Sequence, residues 1–327
     1  MPISSLFLRV TLVLLGLPLM PAAASAAMTL AQAVQQADAK YLDTKPVEPA
    51  DSPAKIEAGG EEDEETPATR EITLGPIKAI LSYKEGKSED GELARAPVVT
   101  VFADGKEVAR LERDDFGLGN PPVSVQIAEL DPANSTPEVV VSFFTGGAHC
   151  CSDTKVITQA KNGSSWQTVE VGEFDGGPLT ASDFDGDGRY EFESRDNTFL
   201  YTFGCYACSV APLKLLATEN GAVRDVTGEP RFRPVHAAYL KDIVSNVPDE
   251  DVNGFLAGYV AEKIILGEGK QAWVLMLAHY DRESDWGLDI CDQKLNEEGD
   301  CPGETLHLTF PDALERMLKE NRYKVEK

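Results

Sequence analysis

The chain has 327 residues, room for about two compact domains at roughly 150 residues each. Its 30 Lys and Arg stand against 55 Asp and Glu, a net charge of −25, and its densest charge run, Glu61-Glu62-Asp63-Glu64-Glu65, is acidic; with no basic cluster to neutralise phosphate, nucleic acid and anionic membrane surfaces are excluded as partners. Hydrophobic residues at 42% indicate a globular body, and six Cys are too few for a scaffold that rests on disulfides alone.

Residues 1–27 carry Arg9, the apolar run Val10 to Met20, and the small residues Ala22 to Ala27. The run is far shorter than the ~20 residues a membrane span needs, and Ala24-Ser25-Ala26 offers a small-x-small cleavage pattern. These features predict a cleavable signal peptide, a periplasmic or secreted protein, and no membrane insertion. Met28 to Leu42 predicts a short helix through Leu30, Val34, Ala37 and Tyr41. Asp43 to Thr69, rich in Pro, Ala, Glu and Gly with Ile56 its one large apolar residue, reads as a disordered acidic linker, so 28–70 is expected to be helix and tether.

Next comes a repeat. Asp104-Gly105, Asn162-Gly163 and Asn220-Gly221 are spaced 58 residues apart, each between strand-like runs such as Val98 to Phe102 and Glu107 to Leu111. Asx-Gly between such runs favours a two-residue hairpin turn, because both central positions need positive φ. Asp131 to Asp185 and Cys151 to Cys205 are both 54 residues. The unit is therefore about four antiparallel strands: a pair joined by an acidic loop, a Cys-bearing connection, and a pair joined by an Asx-Gly turn. Such a unit buries its faces only by stacking on neighbours.

Asp183-Phe184-Asp185-Gly186-Asp187-Gly188-Arg189-Tyr190-Glu191 sets carboxylates at alternate positions and a fourth at position nine. Oxygens so spaced curl around one hard cation and suit Ca²⁺: Asp183, Asp185 and Asp187 each give a side-chain oxygen, Arg189 its carbonyl, and Glu191 a closing carboxylate. An EF-hand is ruled out, because position twelve is Ser194 and the flanks read as strands. The corresponding loop Glu129 to Glu138 has lost the alternate carboxylates and reads as structural and empty.

This pattern of strand, Asp-x-Asp-x-Asp-Gly-x-x-Glu loop and strand resembles the FG-GAP or VCBS repeats of bacterial secreted proteins and of integrin α-subunit propellers, over Val123 to Val226 and more loosely Glu71 to Arg113. The resemblance implies β-propeller-like blades with Ca²⁺ in the loop between two strands, serving adhesion or ligand binding. Three units are too few for a complete wheel, so an incomplete propeller or a sandwich-like stack is expected.

The even count of Cys150, Cys151, Cys205, Cys208, Cys291 and Cys301 in an exported chain reads as disulfides. Cys150 and Cys151 occupy the same connection in one repeat as Cys205 and Cys208 in the next, so bridges between repeats and local bonds within each pair both remain open. Cys291 and Cys301 close a C-terminal loop. A four-thiolate metal site or a redox centre, with His149 beside it, is the competing reading.

After Pro230 the period becomes helical: Pro234 to Asn246, Asp251 to Leu266, Gln271 to Tyr280, and a last helix opened by Thr309 with Asp312 three residues on. The segment Tyr280 to Gly287 reads as a salt-bridged loop with Trp286 packed on the core; a carboxylate-lined ligand pocket is the alternative. Together these readings predict an α+β chain: antiparallel blade-like β repeats over 71–228, then an α-helical C-terminal subdomain over 229–327. The expected function is a secreted, non-catalytic calcium-binding module for an unknown protein or glycan ligand at the cell surface. The alternative is an enzyme, or a metal or thiol-redox protein, centred on Cys150, Cys151, Cys205 and Cys208.

Overall fold

In a computed structural model of the chain, the described residues are 28–59, 69–88, 91, 93–113, 121–146, 150–294, 296 and 300–325. The expected leader 1–27, the acidic run 61–65, His149 and the side chain of Cys150 lie outside them.

The chain opens with α1 (Leu30–Ala37), α2 (Ala39–Leu42) and two short strands, β1 (Ala50–Asp51) and β2 (Ala54–Ala58). Three four-stranded antiparallel meanders follow. The first is β3 (Arg70–Leu74), β4 (Ile77–Lys87), β5 (Leu93–Ala103) and β6 (Lys106–Glu112). The second is β7 (Val123–Ala128), β8 (Glu138–Phe144), β9 (Cys150–Gln159) and β10 (Trp166–Asp175). The third is β11 (Ala181–Asp183), β12 (Glu191–Arg195), β13 (Leu213–Glu219) and β14 (Ala222–Asp225). Then come α3 (Arg233–Ser245), α4 (Val252–Ile265), α5 (Gly269–His279), a small hairpin of β15 (Asp289–Cys291) and β16 (Thr305–His307), and α6 (Phe310–Glu320). Among the described residues the pairings close no barrel or ring, and no helix is long and apolar enough to cross a membrane.

Each Asx-Gly pair lies between the third and fourth strands of a meander. Asp104-Gly105 and Asn220-Gly221 make the two-residue turn with φ positive at both positions (49° and 77°, 53° and 70°). Asn162-Gly163 does not. Only Gly163 has positive φ, and the Asn162 side chain accepts from the Ser164 N–H and hydroxyl at 3.0 and 2.6 Å, building an Asx turn inside a longer loop.

The sheets stack face to face. Ile77, Leu81, Val99 and Val101 of the first pack on Val125, Ile127, Val139 and Val141 of the second. Val140 and Val156, on the opposite face of the second, meet Phe192 and Leu216 of the third. Leu213 and Leu215 of the third then meet Phe232 and Val235 at the entry to α3. Covered on both sides, β7 and β8 are buried at almost every position, so they lack the alternation of a half-exposed strand. Polar side chains also join the layers: Gln126 exchanges hydrogen bonds of 2.6 and 2.8 Å with the backbone of Ala181, as a neighbouring strand would.

The tether expected over 43–69 is corrected where the chain is described. β2 pairs along β7 with Ala54, Ile56 and Ala58 buried, and β1 pairs with β11. Small alternating side chains suffice to close the edge of an already large sheet. The N-terminal helix is likewise no free appendage, because Val34 and Tyr41 are buried in the core formed by α3 to α6. Residues 28–58 thus form a strap that touches the helices, the third sheet and the second sheet in turn.

The four C-terminal helices match the sequence periodicity to within two residues. Gly254 and Gly258 let α4 lie directly against the segment Cys208 to Val210: the Val210 N–H donates to the Gly254 carbonyl at 3.3 Å, and a Cβ on Gly258 would sit 1.9 Å from the Val210 carbonyl oxygen.

Candidate cation site

The acidic loop joins β11 to β12, so two strand ends fix its first and last carboxylates. Asp183, Asp185 and Asp187 each bring one oxygen to within 4.8 Å of the others. That spread fits one Ca²⁺, whose ligands at 2.3–2.6 Å stand at most about 5 Å apart. The loop's backbone enforces the curl. Gly186 and Gly188 donate N–H groups to the two Asp183 oxygens at 2.7 and 2.9 Å, Asp187 N–H donates to Asp185 at 3.2 Å, and Arg189 N–H donates to Asp187 at 2.9 Å. Gly186 and Gly188 both have positive φ, which a side chain would strain. Arg189 itself is exposed.

Glu191, the first residue of β12, is 2% exposed, and its Oε2 has no hydrogen-bond partner. Burial pushes its carboxyl up to about 7; Arg231 pulls it down, and Asp185 and Asp187 push it up again. The second meander holds a built-in comparison. Glu138, the first residue of β8, is also fully buried, but it accepts from Leu130 N–H, Asp131 N–H, Asn134 Nδ2 and Thr158 Oγ1 at 2.8–3.0 Å. One loop, with Thr158 of β9, has closed over its glutamate with donors, whereas Glu191 keeps an unsatisfied oxygen and lies outside the 4.8 Å aspartate cluster, tied to Asp185 and Asp187 through Arg231. Asp131 is likewise structural, accepting from the N–H groups of Asn220 and Gly221 at 3.0 and 2.6 Å and so clamping the hairpin of the next sheet.

Sequence reasoning missed Arg231, which precedes the buried Phe232 in a 3₁₀ turn. Its Nη1 lies 3.0 Å from Asp185, 3.2 Å from Glu191 and 3.6 Å from Asp187, while its Nε donates to Glu229 at 2.9 Å. The Asp185 side chain is only 14% exposed beside it. A lone Arg 46 residues beyond Asp185 carries no local motif.

The cysteines are not brought together as thiolates. Cys205 is bonded to Cys208 (Cα–Cα 4.9 Å), Cys291 is bonded to Cys301, and Cys151 is also in a disulfide. A bridge from Cys205 or Cys208 to the neighbouring repeat is therefore not formed, and the four-thiolate metal reading is corrected, since Cys151, Cys205 and Cys208 are all disulfide-bonded. The two Cys connections are nonetheless neighbours: Tyr206 donates its hydroxyl to Asp175, which stands opposite Cys150 in the β9–β10 register. They lie at the far end of β12 from the acidic loop. Trp286 is 47% exposed rather than packed on the core, its indole N–H donating to the Tyr201 carbonyl at 2.8 Å. His236 is buried against Glu262 at 2.6 Å, and His307 pairs with Asp289 on the surface at 2.7 Å. A cavity of about 540 Å³ between β13 and the α4–α5 turn is lined by Leu213, Ile264, Ile265 and Tyr323, with none of the loop carboxylates among its walls.

The fold and site define a class of chain in which three stacked β-meanders, one with an acidic loop, are capped by a helical domain. Residues 236–322, which supply most of that cap, match the family model described as the sll0997 C-terminal domain. The chain is 40% identical over 257 residues to the probable thylakoid lumen protein sll0997 of Synechocystis sp., covering 77% of this chain and 75% of that one, and it belongs to the sll0997 family. It is also 37% identical over 238 residues to the uncharacterized protein y4bJ of Sinorhizobium fredii, where the match covers 70% of this chain and 37% of the longer relative. No solved structure matches it.

Proposed function

We propose that the chain is an exported, non-catalytic calcium-binding module of FG-GAP or VCBS type, whose ion is held by Asp183, Asp185, Asp187, the Arg189 carbonyl and Glu191. The observation that carries this reading is the unsatisfied Oε2 of the buried Glu191 at the end of a loop whose three aspartates cluster, where the equivalent Glu138 is satisfied by its loop and Thr158. A buried carboxylate oxygen without a donor is costly, and a cation removes that cost. Three meanders with hairpins at one register support the repeat reading. Export to a lumenal or periplasm-like compartment is supported by the leader-like residues 1–27, by the disulfides, and by the thylakoid-lumen description of the Synechocystis relative. The ligand is a protein or glycan met outside the cytoplasm.

The test is a calorimetric Ca²⁺ titration of the mature chain. It should show one site with the weak affinity of extracellular modules, roughly 10⁻⁴ to 10⁻³ M, and Asp185→Ala should abolish it. Equal Ca²⁺ uptake by the variant would place the ion elsewhere, and no uptake by either chain would end the calcium reading.

A further inference from the structure

We propose that Arg231 is a tethered counter-cation of the acidic loop, and that a divalent cation entering the loop displaces it and loosens the junction between the third sheet and the helices. The inference rests on the cation reading above and adds a regulatory contact to it.

The guanidinium and a metal ion would need the same oxygens. Arg231 Nη1 is held by Asp185, Asp187 and Glu191, three of the four side chains that would ligate the ion. Two positive centres so close repel in a partly buried site, so occupancy by one excludes the other. Arg231 is also an incomplete occupant. No ion pair links it to Asp183, and Glu191 Oε2 stays unsatisfied although Glu191 Oε1 is engaged. A planar fork serves oxygens lying in its own plane, whereas a spherical ion can gather oxygens from all sides.

The displaced side chain has somewhere to go. Glu229 holds Arg231 Nε through one oxygen and Arg224 through the other, both at 2.9 Å, so the guanidinium can swing about its Nε contact without losing its last partner. The consequence reaches the helices through the backbone. Arg231 sits in the 3₁₀ turn Pro230–Phe232 that leads straight into α3, and its guanidinium lies 4.3 Å from the ring centroid of the fully buried Phe232. With Arg231 on the loop, the turn is stitched to the acidic loop and to the first residue of β12; with the ion in place that stitch is gone. By linkage, whatever Arg231 costs the ion in affinity, the ion costs the junction in stability.

The experiment is Ca²⁺ calorimetry on the mature wild-type, Arg231→Gln and Asp185→Ala chains, paired with amide hydrogen exchange with and without Ca²⁺. Arg231→Gln should bind Ca²⁺ about tenfold more tightly or better, within the 5- to 150-fold range of ordinary couplings. In the wild type, Ca²⁺ should slow exchange across 184–190 and speed it across 228–233, and the second effect should vanish in Arg231→Gln. Binding by Arg231→Gln alone would overturn both the proposal and the cation reading, since Arg231 would then bar the ion from the native loop. Equal Ca²⁺ affinity in wild type and Arg231→Gln, or a junction indifferent to Ca²⁺, overturns the proposal and leaves the cation site standing. No binding by wild type or Arg231→Gln overturns both. Urea unfolding of each variant confirms that a folded chain is being compared.

Discussion

Asp38 and Lys263, 225 residues apart, form an ion pair in which both side chains are essentially out of water. Tyr259 donates its hydroxyl to the other Asp38 oxygen at 2.6 Å, and Lys263 also reaches Glu268, which in turn takes Tyr41 and Lys40. The network pins the N-terminal helices to α4. Lys263→Met removes the cation paired with a fully buried Asp38 and should cost about 3–5 kcal/mol. Asp38→Asn should cost less, because Lys263 keeps Glu268. Urea denaturation of the two variants checks the order, and equal losses would show that the Asp38 pair is not the stronger constraint.

Acid should release the same network. Burial alone would raise the Glu268 carboxyl, but hydrogen bonds from Lys263, Lys40 and Tyr41 hold it down to about 2. Its folded value lies below the unfolded one of about 4.5, so its contribution is full above that value and is lost as pH falls toward 2. Glu268→Gln should therefore flatten stability against pH between about 4.5 and 2. A variant curve parallel to wild type across that window would contradict this.

Gly258→Ala sets two magnitudes against each other. Alanine should gain about 1 kcal/mol of helix propensity over glycine. Its Cβ, however, would meet the Val210 carbonyl, a backbone group that cannot rotate away, and overpacking of this kind costs about 1–3 kcal/mol, here at the upper end. A net loss near 2 kcal/mol and a lower melting temperature are expected. A melt at or above wild type would mean that the Cys208 to Val210 segment is free to shift.

Asp131→Ala should expose the amides of Asn220 and Gly221 to exchange and destabilise the chain by about 2–3 kcal/mol, since both donors lose a charged acceptor. Calcium uptake should not change. Loss of Ca²⁺ binding in this variant would mean that the second meander carries the ion.

What could be read from the sequence was what is local. The alternate carboxylates of Asp183 to Glu191 lie within nine residues, and the hairpins at Asp104-Gly105 and Asn220-Gly221 are set by two residues each. The strap was missed because its buried face is only Ala54, Ile56 and Ala58 in a stretch dominated by Pro, Glu and Gly; the alternation was present, but composition hid it. Arg231 was missed for the opposite reason, since nothing near it in sequence marks a guanidinium that folds back 46 residues. Trp286, expected on the core beneath a salt-bridged loop, finds a carbonyl for its indole N–H at the surface.

The strap also dictates an order of assembly. A chain made from its N-terminus first can build each meander from contiguous segments, because every strand of a meander pairs with the next one along. Residues 28–58, the earliest of the described chain to emerge, have no docking place until β7, β11 and α4 exist, and their anchor Lys263 lies near the opposite end. The first segment delivered is thus the last to lock. Until β2 docks, the β7 edge of the second sheet stays bare, an open template for pairing with another chain. Holding the head of this protein back during synthesis would therefore protect its folding rather than delay it.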